Sequence, residues 1–328
     1  MSGKTRPNIE LPFVEPWFAT YHNLASPGVI AKNNPSADNW YFNHSIQIWC
    51  NPENLHKGSD GKISIYMGRS DDMPFLERIY FNTRFLRNCA MEVIQSMLEQ
   101  QFYVVFWGVD DYYVEGKSGY QKHHFNHDGL IRGVDNETKE YMMCAYDEQQ
   151  TYRSFRTSQI GFMKGMMSGL DTIGYGWLIA VRCRPAAAID LDVPHIKQEL
   201  HNYLHSAPGP EEKYVYGLDG IPHIIGYLGR LKDGEIPFEG NDPRVFRLIW
   251  EHKRCMAARI IAVEKHCGLS HELSNAYAPL MDLANNIRFV HMKYSMTGNN
   301  RLLDKIKEQL LELTKKESEL LLALHDKI

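Results

Sequence analysis

The chain has 328 residues, 44% of them hydrophobic and 23% charged, with a formal net charge of −4. That profile belongs to a globular protein long enough for one large or two ordinary domains, and it carries no electrostatic footprint for nucleic acid or an anionic membrane. The opening MSGKTRPNIELPF lacks the apolar stretch of a secretory signal, no window approaches 18 apolar residues, and the six cysteines lack CxxC spacing, so the expectation is a cytoplasmic protein with reduced thiols.

In chain order, a short helix is expected within 20–32, limited by Pro27 and Gly28. Strands are expected at 45–50 (SIQIWC), 62–68 (KISIYMG), 102–110 (FYVVFWGVD), 128–135 (DGLIRGVD), 140–147 (EYMMCAYD) and 176–183 (GWLIAVRC), each rich in β-branched and aromatic residues. The polar VDNETKE at 134–140 has the composition of a hairpin loop. One helix interrupts the strands at 87–101, with Met91, Ile94, Met97 and Leu98 at helical spacing. The glycines of 161–176 form neither a Walker nor a Rossmann pattern and read as loop and helix ends, so no nucleotide cofactor is implied. Beyond RCRPAAAID (182–190) the pattern turns helical. Asp192 caps a first helix with Pro194 in its opening turn; a second runs from Asp242-Pro243 to Gly268, a third holds Pro279 as an expected kink, and a leucine-rich helix follows. The expected division is therefore 1–185 and 186–328, an α+β domain followed by an all-α domain. The leucine-rich last helix offers a surface for its own domain or for a homodimer.

The stretch HHFNHDGLIRGVD (123–135) packs three histidines into five positions. It admits a metal site on His123 and His127, a polar strand edge without chemistry, or one catalytic imidazole. In the catalytic reading, His127 opens one strand of a hairpin and Asp147 ends the next, so imidazole and carboxylate meet across the ladder.

Residues 109–147, VDDYYVEGKSGYQKHHFNHDGLIRGVDNETKEYMMCAYD, resemble the core of the butirosin biosynthesis protein H-like family, through Asp110 or Asp111, Tyr112, Tyr113, His127, Gly133 and Asp135. DPRVFRLIWEHKRCMAARI and HMKYSMTGN resemble that family's helical domain. The resemblance implies a papain-like N-terminal domain and acyl chemistry. An acyl or aminoacyl group would arrive on the phosphopantetheine arm of an acyl or peptidyl carrier protein. It would then pass to a small-molecule amine, with no separate cofactor.

The departure is the nucleophile. Where the family places a cysteine before the first helix, PWFATYHNLAS (16–26) has Thr20, whose hydroxyl has no thiolate form near neutral pH. Thr20 as nucleophile or relay, Cys50 in its place, or direct aminolysis with His127 as sole base are the three expectations. The alternatives to an acyltransferase are a carrier-binding scaffold on a degenerate fold and a thioesterase or peptidase using water. Tyr112, Tyr113 and His22 are candidate substrate-side residues. His252, Lys253, Arg254 and Arg259 read as a solvated helix face or as a docking surface for an acidic carrier.

Overall fold

The computed structural model describes residues 6–67, 73–184 and 188–328. In chain order its elements are β1 (Ile9–Glu10), α1 (His22–Ala31), α2 (Ala37–His44), β2 (Gln47–Cys50), α3 (Pro52–Lys57), β3 (Ile63–Tyr66), β4 (Leu76–Asn82), α4 (Ala90–Glu99) and β5 (Tyr103–Asp110). There follow β6 (Asn126–Asp135), β7 (Glu140–Tyr146), β8 (Tyr152–Ser158), α5 (Gln159–Ile173), β9 (Trp177–Cys183), α6 (Val193–Leu204) and β10 (Val215–Tyr216). The chain ends in α7 (Gly220–Asp233), α8 (Arg244–Cys267), α9 (Glu272–Thr297) and α10 (Arg301–Lys327). The class is α+β with antiparallel sheets. Among the described residues no helix is long and apolar enough to cross a membrane.

The chain forms two compact units, Met1–Pro35 with Asp72–Ala187, and Ser36–Asp71 with Ala188–Ile328. The boundary expected at 185/186 lies outside the described residues. Ser36–Asp71, expected in the first domain, belongs with the second unit, because Cys50 and Trp49 of β2 pair with Val215 and Tyr216 of β10.

The first unit is built on a sheet in the order β4-β9-β5-β6-β7-β8, with β1 added against β6. Leu130, Ile131, Met143, Cys144 and Phe106 in its strands are all but fully buried. α1 continues through Pro27, and its C-terminal carbonyl at Ile30 accepts from the Cys183 thiol of β9 at 3.0 Å. The glycine-rich 161–176, expected as loop and helix ends, forms most of α5. The physical reason is close packing: a Cβ at Gly169 would stand 1.9 Å from the Gly108 carbonyl, and one at Gly165 2.8 Å from that of Asp110. Glycine lets this helix lie directly on β5.

One irregularity positions the chemistry. β5 and β6 run in register to Phe106↔Gly129 and resume at Val109↔His127, so β5 carries one extra residue. Gly108 absorbs it at φ +81, where a side chain would be strained. The bulge lies immediately before Asp110 and Asp111.

The second unit has the three-stranded sheet β10-β2-β3 and helices α2, α3 and α6–α10. α9 is one continuous helix with Pro279 inside it. The expected solvated face of α8 is largely interior: His252, Lys253 and Arg259 are at most 2% exposed. Each is held by specific acceptors, as burial of charge demands. Arg259 donates to the Phe42 and Tyr41 carbonyls and to Ser45 Oγ. Lys253 Nζ lies 2.6 Å from Glu317 of α10, whose other oxygen takes the Tyr277 hydroxyl.

Candidate active site

His127 sits near the start of β6, opposite the β5 bulge. Its Nδ1 lies 3.0 Å from Asp111 Oδ2 and 3.2 Å from Lys117 Nζ. Lys117 Nζ also lies 3.4 Å from that same carboxylate oxygen. A carboxylate only accepts and an ammonium only donates. The arrangement that satisfies all three groups puts a proton on Nδ1, donated to Asp111, with Lys117 donating to Asp111 as well. Nε2 is then left as the basic nitrogen. Asp111 and Lys117 are buried, while the His127 side chain keeps 30% of its surface exposed, so the ring reaches solvent from a buried support. Burial pulls the Lys117 pKa below the usual lysine range, and Asp111 opposes that fall.

Local sequence explains these placements. Asp110 ends β5 and Asp111 opens a short 3-10 turn, Asp111–Tyr113, whose Tyr112 amide donates to the Asp110 side chain. Asp111 N donates to the Phe125 carbonyl, which returns the chain into β6. Lys117 enters from the intervening loop, tied to the β7–β8 turn by Glu148 N donating to the Gly116 carbonyl.

The first turn of α1 adds His22, whose ring meets that of His127 edge to face at 4.5 Å. Burial first, then the positive potential of His127 and Lys117, lowers the His22 pKa to about 2, so it is neutral at every ordinary pH. Its Nε2 has no hydrogen-bond partner among the described residues. Tyr146 and Tyr152 pack against the same ring, and the Tyr146 hydroxyl donates to the Ala19 carbonyl, which fixes the approach to α1. Thr20 lies in that approach, two residues before His22, at 1% exposure. Asp128, next to His127, has its pKa raised to about 6, chiefly by burial and against the pull of His127.

The expected partnership of His127 with Asp147 is not formed. The β6–β7 register, Leu130↔Cys144, continued by three residues sets His127 level with Asp147 as expected. Yet the Asp147 carboxylate accepts from the amides of Gln149 and Thr151 and pairs with Arg153, closing the β7–β8 turn. Asp111, from the turn that follows β5, takes its place.

Cys50 belongs to the other unit. It lies in the core of that unit on β2, 1% exposed, its thiol toward the Gly220 carbonyl and pushed up to about 12 by burial. That is the environment of an inert thiol, not of a nucleophile. Tyr112 and Tyr113 gather around His124, not His127: Tyr112 stacks on the His124 ring at 4.4 Å, and Tyr113 packs edge-on against Tyr112. Among the described residues no three metal-ligating side chains converge, and His124 and His127 turn to different aspartates.

The sequence reading missed Lys117 and did not separate Asp111 from Asp110. The available signal was the adjacent acidic pair closing an apolar strand, fourteen to sixteen residues ahead of His124 and His127. No protein-family model matches the chain, and no curated protein matches it.

Proposed function

We propose that the first unit is an acyl-transfer enzyme in which His127, oriented by Asp111, is the general base. The observation that carries this reading is the buried Asp111–Lys117 pair holding a half-exposed imidazole by its Nδ1. A structural histidine needs no such support, whereas a general base needs its tautomer fixed and its other nitrogen free. The start of α1 lies beside the imidazole through the His22–His127 ring contact, and the positive end of a helix suits a developing oxyanion. A papain-like assignment of this unit is part of the proposal. It draws support from the pairing of a helix N-terminus with an imidazole on an antiparallel sheet.

The chemistry fits direct aminolysis of a thioester. Cys50 lies in the other unit's core with a thiol of raised pKa, and Thr20 lacks the acidity of a thiol. The amine nitrogen attacks the thioester carbonyl while His127 Nε2 takes its proton. The C–S bond then breaks, and the imidazolium returns that proton to the departing sulfur. An acyl or peptidyl carrier protein would bring the thioester, and a small-molecule amine would accept the acyl group.

The test is turnover of a small acyl thioester with an amine, followed by mass spectrometry of the amide. His127→Ala should abolish transfer with the fold intact by circular dichroism. Full activity in that variant removes the assignment. One observation favours a second reading, a binding scaffold on a decayed site: threonine, not cysteine, precedes α1. A wild-type protein that binds a carrier yet forms no amide supports that reading instead.

A further inference from the structure

A second imidazole–carboxylate pair stands beside the first. His124 Nδ1 lies 2.7 Å from Asp110 Oδ2. Asp110 is buried and accepts three further bonds: from Ser168 Oγ of α5 at 2.7 Å on Oδ2, and from the amides of Tyr112 and Phe125 on Oδ1. Burial works against its ionisation, yet the bonds from His124, Ser168 and the two amides outweigh it, and its pKa is lowered. The carboxylate is therefore a fixed anion. Its imidazole is 64% exposed, against 30% for His127, with Nδ1 committed to Asp110 and Nε2 left for other partners. Adjacent aspartates, 110 and 111, thus hold two histidines three residues apart, each by its Nδ1. One faces open solvent and the other is half-buried.

We infer that His124, held by Asp110, is a second proton acceptor of the site, taking the first proton from the ammonium form of the incoming amine. The inference rests on the acyl-transfer reading and follows from its proton balance. An alkylamine holds its extra proton up to roughly pH 10. Its reaction, R–NH3+ with R′CO–SR″, yields R′CO–NHR, HSR″ and one free proton. Nitrogen loses two protons in all. His127 passes one to the departing sulfur; the other must leave for solvent before attack, and the exposed imidazole is placed to carry it. The groups facing His124 are Asp110 from β5, Tyr112 and Tyr113 from the 3-10 turn, and, through Asp110, Ser168 from α5.

The test compares two acceptors with wild type and His124→Gln: an alkylamine, charged at neutral pH, and hydroxylamine, largely uncharged there. The alkylamine kcat/KM of the variant should fall by roughly tenfold or more at pH 7 and recover as the pH rises toward the amine's own pKa. Transfer to hydroxylamine should be unchanged. An equal loss with both acceptors assigns His124 a different role, and no loss with either makes it a bystander; each result overturns the inference. A wild type inert toward both acceptors instead removes the acyl-transfer reading, and the inference with it. His124 is exposed, so its replacement spares the fold, which a melting curve verifies.

Discussion

Asp111 Oδ2 stands 3.0 Å from His127 Nδ1, while Asp147, just past the end of β7, is bound to Arg153. The two carboxylates therefore separate by role. Asp111→Asn should reduce acyl transfer roughly 10²–10⁴-fold, because the amide no longer fixes the imidazole's proton on Nδ1. Asp147→Asn should leave turnover within a few-fold of wild type and instead lower stability by about 1–3 kcal/mol through the lost turn bonds. Steady-state kinetics beside urea denaturation separates the two; the reverse pattern restores Asp147 as the base's partner.

His22 makes the fold acid-sensitive. Its folded pKa is depressed to about 2 from the ordinary 6.5. The unfolded chain therefore takes up a proton below pH 6.5 that the folded chain refuses. Stability is fully retained above that pH and falls steadily beneath it, by about 2 kcal/mol at pH 5. His22→Asn should flatten this decline in denaturation series between pH 7 and 5. An unchanged slope would mean that His22 titrates normally in the folded protein.

Asp128 acts in the opposite direction. Its folded pKa is raised to about 6 from 3.8, so its contribution is present below pH 4 and lost as pH rises through 6. Asp128→Asn keeps an acceptor for the Gly108 amide and should gain on the order of 1–3 kcal/mol at pH 7, with no gain at pH 4. Parallel melts at the two pH values measure the difference.

Thiol reactivity should follow exposure. Cys89 and Cys267 are exposed, whereas Cys50, Cys144 and Cys255 are buried with thiols of raised pKa. Brief alkylation of the native protein, read by peptide mass mapping, should label the first two and spare the other three. Cys50→Ala should leave transfer unchanged. Rapid labelling of Cys50 in the native protein would reopen its candidacy as nucleophile.

The buried pair in the second unit gives a double-mutant test. Lys253→Met leaves Glu317 buried with, among the described residues, the Tyr203 and Tyr277 hydroxyls as donors and should lose about 3–5 kcal/mol. Adding Glu317→Leu should recover most of that loss.

The strands at 102–110, 128–135, 140–147 and 176–183 were legible because buried β-branched and aromatic runs leave little choice of conformation. β4 (LERIYFN) and β8 (YRSFRTS) were not, because each is an outer strand whose charged residues face water and dilute the pattern. α5 was hidden by the glycines that let it approach β5. The place of His127 at a strand entrance was legible. The choice between carboxylates was not legible, because it depends on a one-residue bulge at Gly108 and on Arg153 reaching back to Asp147. Likewise, no local signal could assign 36–71 to the helical unit, since the pairing that does so joins Cys50 to Val215, 165 positions away.

That last arrangement constrains how the polypeptide is made. Residues 36–71 leave the ribosome early, but the strand and helices they complete are encoded more than a hundred codons later. During translation this segment, with Trp40, Tyr41, Ile46 and Ile48 destined for the interior, waits without its partners while the sheet around β5 and β6 assembles. A chain ended near residue 187 and released from the ribosome would thus carry every strand of the first sheet and an unsatisfied greasy segment, the form in which chaperone dependence would be greatest.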